Sequence, residues 1–294
     1  MMEPFVLTGH KYGFIYHISG KPHPACTMSI QTILEENNTD KYNIEYMQFL
    51  TNHVAHGIIA LHRMGASEDR IRKFVDWYKD RMEPPVYDGT TSGDIESLKG
   101  KRVSFHRLVQ HFQDLLKNKY KTLDNLVVSE LPKYTLGLGS AALHGGIHLG
   151  YGFSARNERT VCEGLAYLHY SYRPLVYKKP LPSASELGKG RKTPTELLVS
   201  LAADKALHDS MVKETNRKPW TSLDQGPFQR RLSYLLAVHG DYFVDLLSDL
   251  NVDIPKAENG DIDLIELGRE VVDVAITVYT LHEPPNDFFI LHGV

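Results

Sequence analysis

Histidines occur in this chain as pairs at helical spacing inside apolar runs. His53 and His56 lie in NHVAHGIIALH, His144 and His148 lie in LHGGIHLGYG, and His292 follows FFIL near the end. Separations of three and four residues place two side chains on one helix face. Imidazole is costly to bury without a partner and is also the commonest metal ligand. A chain built this way folds around a metal or around an unusually polar core. Either outcome requires helices that bring one pair to the other.

Helical periodicity dominates the rest of the sequence, and strand alternation is scarce. The spacing predicts a first long helix from about Ile44 to Met64, with His53 and His56 on its apolar stripe and His62 turned to solvent. Gly65 suits its C-cap, and Ser67 opens the next helix with Glu68 and Asp69 in the first turn. Further helices are predicted over 102–118, 124–131, 136–151, 157–172, 227–247 and 262–282. Another follows the capping box Thr193-Pro194-Thr195-Glu196. Residues 82–101 and 174–193 read as long loops, rich in proline, glycine and polar residues. The expected fold is all-α: a single helical domain of about eight helices with two long loops, spanning 1–294. The last apolar turn, FFILHGV, reads as the start of a helix that the sequence cuts short, so the domain is expected to be truncated at its C-terminus.

Composition excludes several classes. A net charge of −3 offers no basic stripe for nucleic acid. Cys26 and Cys162 are too few for a disulfide framework and form no CxxC. No apolar run is long enough to span a membrane, and His10, Lys11 and His17 interrupt any signal-like segment. The expected setting is cytoplasmic. GLGSAA at 137–142 matches G-x-G-x-x-A, but a dinucleotide fingerprint needs a preceding strand, and LPKYT is not one.

An all-histidine shell without HExxH or ExxH is neither a structural zinc site nor a di-iron carboxylate site. Imidazole ligation suits iron, zinc, copper or nickel. Other histidines compete with the pairs. His169, His239 and His282 read as core or helix-end residues, and His62, His106 and His111 as solvated ones. His208-Asp209, with Asp245, offers the dyad of a helical HD-type metal-dependent phosphohydrolase. A non-catalytic protein with a residual histidine core is a third reading.

Three segments then carry a family resemblance. NHVAHGIIALHRMGAS resembles the HNHxxHHLLALYxLGA region of questin oxidase-like proteins, LHGGIHLGYGF their HPxIHLGYGxEF segment, and DFFILHGV their DFFLxHxVT segment. The resemblance implies a helical oxygenase of polyketide pathways that performs Baeyer–Villiger-like or ring-opening oxidation of an anthraquinone-like substrate. It implies Fe(II), NADPH as a possible reductant, dioxygen and a small aromatic substrate. It places metal ligands among His53, His56, His144, His148 and His292, with His53, His148 and His292 foremost. In the family a modified lysine beyond the last motif adds a ligand. Tyr151 and Phe153 are the expected substrate contacts. Gly57 and Gly145 depart from the family pattern, which has histidine and proline there.

Overall fold

The computed structural model describes residues 30–47, 49–87, 89, 93–183, 185–216 and 227–253, with 256, 263, 266, 268–269 and 272–274 beyond them. Helices make up most of it, and the sole sheet among the described residues is a two-stranded hairpin. The all-α expectation holds. The chain divides into two compact units, Met1–Pro174 with Pro219–Ser233, and Leu175–Lys218 with Tyr234–Val294.

In the first unit, α1 (Ile30–Glu36) leads into β1 (Glu45–Tyr46) and β2 (Leu50–Thr51), then α2 (Val54–Arg63) and α3 (Glu68–Lys79). The long helix predicted from Ile44 is therefore a tight antiparallel hairpin followed by a shorter helix. Glu45 pairs with Thr51, and Tyr46 with Leu50. The hairpin wins because Asn52 ends it: the Asn52 carboxamide oxygen accepts from the Val54 N–H at 2.9 Å and starts α2 there. The α2–α3 join follows the sequence reading, with Ser67 capping the Arg70 N–H. Ile33, Val54, Ile58, Ile59, Ile71 and Val75 bury one core between these helices.

The second core lies around α4 (Phe105–Leu115), α5 (Leu123–Glu130), α6 (His144–Ser154) and α7 (Glu158–Tyr170). Helix α7 is buried on all sides from Thr160 to His169. Such a helix belongs in the middle of a core rather than on its surface. Asn157 caps it, accepting from the Thr160 N–H at 2.7 Å. The Gly-rich helix predicted from Leu136 begins only at His144. Tight 3-10 turns precede it, and Ala141, Ala142 and Leu143 adopt φ of 48°, 53° and 67°. Three successive non-glycine residues in this left-handed region are costly, by about 1–2 kcal/mol each.

Helices α6 and α7 press together at glycines. A Cβ on Gly164 would stand 2.4 Å from the Leu149 amide nitrogen, and one on Gly145 would stand 2.9 Å from the Leu168 amide nitrogen. Gly164→Ala is therefore expected to destabilise the protein by about 1–3 kcal/mol through overpacking against backbone. Thermal unfolding measures this, and an unchanged midpoint refutes it.

In the second unit, α8 (Pro194–Ala203) carries the predicted capping box, with Thr193 and Glu196 bonded reciprocally. Then come α9 (Lys205–Asn216), α10 (Pro227–Val238), whose first residues fall in the other unit, and α11 (Gly240–Asp249). The helix predicted over 227–247 is split at His239. A side chain at Gly240 would meet the Val176 carbonyl oxygen at 1.8 Å, so the chain passes there only without one. The basic tract KGRK is tied down by Asp249, which takes Arg191 at 2.9 Å and Lys192 at 3.4 Å.

Candidate functional site

The two histidine pairs meet inside the first unit. His56 and His148 are 5% and 2% exposed, and His53 and His144 are half-buried. His53 is the residue just before α2 and His144 the first residue of α6, so the first pair straddles a helix start and the second spans the first turn of its helix. The ring centroids of His53 and His56, and of His53 and His144, lie 5.0 Å apart, and those of His56 and His148 lie 4.9 Å apart.

The hydrogen bonds assign protons. His53 Nδ1 lies 2.5 Å from the Thr51 carbonyl oxygen, and His144 Nδ1 lies 2.7 Å from the Ala141 carbonyl oxygen. A carbonyl only accepts, so each Nδ1 carries an N–H. In the neutral ring the lone pair then sits on Nε2, and the two Nε2 atoms face one another at 3.2 Å. Two lone pairs in that position repel unless a cation, either an added proton or a metal, lies between or beside them. Metal–imidazole bonds of about 2.0–2.1 Å set neighbouring donor nitrogens roughly 2.8–3.4 Å apart, from square to tetrahedral angles. The observed spacing fits that range, and so does the 3.0 Å between His56 Nε2 and His148 Nδ1. Among the described residues, no three His, Cys, Asp or Glu side chains already close on one point. The donors meet in two pairs, and the fit to a metal holds for each pair.

Behind His148 stands Glu163, a residue the sequence reading passed over. Its Oε2 lies 3.3 Å from His148 Nε2. Its Oε1 accepts from the Thr39 N–H at 2.9 Å, the Thr39 hydroxyl at 2.6 Å and Arg159 Nε at 2.9 Å. Burial alone would raise this carboxyl's pKa. The hydrogen bond from His148, the charges of His148 and Arg159, and Thr39 outweigh burial and pull it down to about 2. One turn along α7, Tyr167 lies 2.8 Å from Thr51 Oγ1 and donates to Glu45 Oε1 at 2.9 Å. Thr51 is the residue whose carbonyl orients His53, and Glu45 is in turn paired with Arg102.

Tyr151 stacks on His56, with centroids 4.8 Å apart and planes 13° from parallel, so it walls the cluster. Phe153 is not brought there. It packs against the second core and beneath Arg156, because two residues along a helix turn a side chain to the far side. His292 lies outside the described residues. His62 is exposed, as predicted. His106 and His111 are half-buried rather than solvated: His106 lies 3.0 Å from Asp40, and α4 packs beneath both. His169 is a core residue, held by the Tyr134 hydroxyl at 2.9 Å and the Ile95 carbonyl at 2.9 Å. The His208-Asp209 dyad is exposed at 70% and 64%, with 3.8 Å between its atoms. In that position water competes with any cation. GLGSAA follows no strand, as expected.

The first unit is thus a helical fold that gathers four imidazoles from two helices far apart in the chain. The family model for questin oxidase-like proteins matches residues 50–294, and the chain belongs to that family. The class is that of an oxidoreductase. No curated protein matches the chain. No helix among the described residues is long and apolar enough to cross a membrane.

Proposed function

We propose that the protein is a non-haem iron oxygenase acting on a flat aromatic polyketide of the anthraquinone type, with a Baeyer–Villiger-like or ring-opening outcome. The observation that carries this reading is the His53–His144 contact, in which two Nε2 atoms converge while both Nδ1–H groups are held by carbonyls. Metal-binding histidines are oriented in this way, through the nitrogen that does not bind. His53 and His144 would hold Fe(II), with His148 Nδ1 and His56 Nε2 beside them and His292 as a further ligand. When bound, the iron supplies the redox centre at which dioxygen reacts.

The chain's own residues do the rest. Tyr151 keeps the His56 ring in its plane and offers its aromatic edge to a flat substrate. The apolar core around α6 and α7 keeps water from the inner imidazoles. Inserting one oxygen atom and releasing the other as water takes two electrons and two protons. In this proposal NADPH supplies a hydride, and a proton from solvent completes the balance.

Metal analysis of protein purified without added metal tests the reading. About one iron per chain is expected, and chelation should lower the unfolding temperature because a bound metal favours the folded state. Protein that holds no stoichiometric metal and gains no activity with Fe(II) would instead have a purely structural polar core. The HD-type reading has no such support, since its dyad is exposed.

A further inference from the structure

We propose that Glu163 is a positioning residue that fixes His148 as its Nε2–H tautomer, so that this histidine alone presents Nδ1 to the site while His53 and His144 present Nε2. The inference rests on the metal reading above for its purpose, but its geometry stands independently.

The carboxylate is committed on one side. Thr39 contributes two donors to Oε1 and Arg159 a third, all within 2.9 Å. Arg159 is itself held by Asp40 at 2.7 Å, so the anchor reaches from the surface to the buried carboxylate. Oε2 is left to meet His148 Nε2. An ionised carboxylate only accepts, so the proton shared with it sits on Nε2, and in the neutral ring Nδ1 then keeps its lone pair. That lone pair faces His56 Nε2 at 3.0 Å. In the metal-free protein His56 therefore donates to His148, and His148 donates to Glu163. The two pairs differ in this respect: His53 and His144 each have Nδ1 held by a carbonyl and meet through Nε2, whereas His56 and His148 meet as donor and acceptor.

Glu163→Gln separates this from a space-filling role. The Thr39 N–H and Arg159 Nε can only donate to Oε1, so the glutamine carbonyl must turn to them and its NH2 group toward His148. His148 Nε2 then has to accept, and its proton moves to Nδ1, where it blocks the position that faces the site.

The test is long-range proton–nitrogen NMR of the imidazoles in the metal-free full chain, alongside Fe(II) titration under anaerobic conditions. The expected result is Nε2–H for His148 and Nδ1–H for His53 and His144 in the parent protein. In Glu163→Gln, His148 should change to Nδ1–H and Fe(II) affinity should fall about 10- to 100-fold. Nδ1–H on His148 in the parent protein overturns the proposal. So does a folded Glu163→Gln protein with the parent tautomer and parent affinity. If the variant does not fold, the parent spectrum decides alone. A parent protein with the expected tautomers and no Fe(II) binding refutes the iron reading and leaves this assignment standing, whereas Fe(II) binding with Nδ1–H on His148 does the reverse.

Discussion

His144→Ala is expected to leave a folded protein that binds Fe(II) at least roughly 100-fold more weakly. Losing a residue behind a ligand already costs about 10- to 100-fold, and removing a donor costs more. His144 is half-buried at the first position of α6, so its loss leaves the helix and the core beneath it intact. It removes one of the two facing Nε2 atoms and leaves His53 without its counterpart across the site. His62→Ala is the control, because His62 shares α2 with His56 but is exposed, and no change is expected there. Anaerobic Fe(II) titration and metal analysis read both. Full metal content in His144→Ala would refute the site, and a matching loss in His62→Ala would show that the effect is not local.

The second large effect is on stability. Glu163→Ala leaves Arg159, 11% exposed, with Asp40 but without its buried partner, and strips Thr39 of its acceptor. Removing one member of a buried pair costs about 3–5 kcal/mol, which lowers the unfolding midpoint by about 10 °C in a protein of this size. The same carboxylate sets an acid limit. Its folded pKa lies below its usual value of 4.5, at about 2, so its contribution is full above pH 4.5 and is lost as the pH falls toward 2. Unfolding measured from pH 6 to pH 2 should show a stability loss in that window that is smaller in Glu163→Gln. An identical acid profile for the two proteins would count against it.

The sequence carried the helical class, the α2–α3 join, the Thr193 capping box and the four central histidines because each depends on spacing or on a local hydrogen bond. It did not carry the hairpin before α2. Two strands of two residues have no room for alternation to appear, and Tyr46, Phe49 and Leu50 also fit a helical stripe. Phe153 was misplaced because apolar character does not say which side of α6 faces the cluster. Glu163 was missed because its one local mark, Arg159 four residues before it, reads as an ordinary surface pair. Its signal was weaker and lay elsewhere, as a lone acid in VCEGLAYLHY, a helix without a polar stripe and therefore without a solvent face to receive a charge. A carboxylate there needs buried donors, and the donors came from Thr39, at a distance of 124 residues, and from His148.

The distance along the chain between the facing histidines has a consequence for biogenesis. His53 meets His144 across 91 residues, and His56 meets His148 across 92. Closing loops of that length costs entropy that contacts between α2 and α6 must offset. During synthesis the first pair leaves the ribosome long before the second exists, and a cation meeting the nascent chain finds two imidazoles and no more. The four-histidine cluster therefore exists only once α2 and α6 have both been made and packed together.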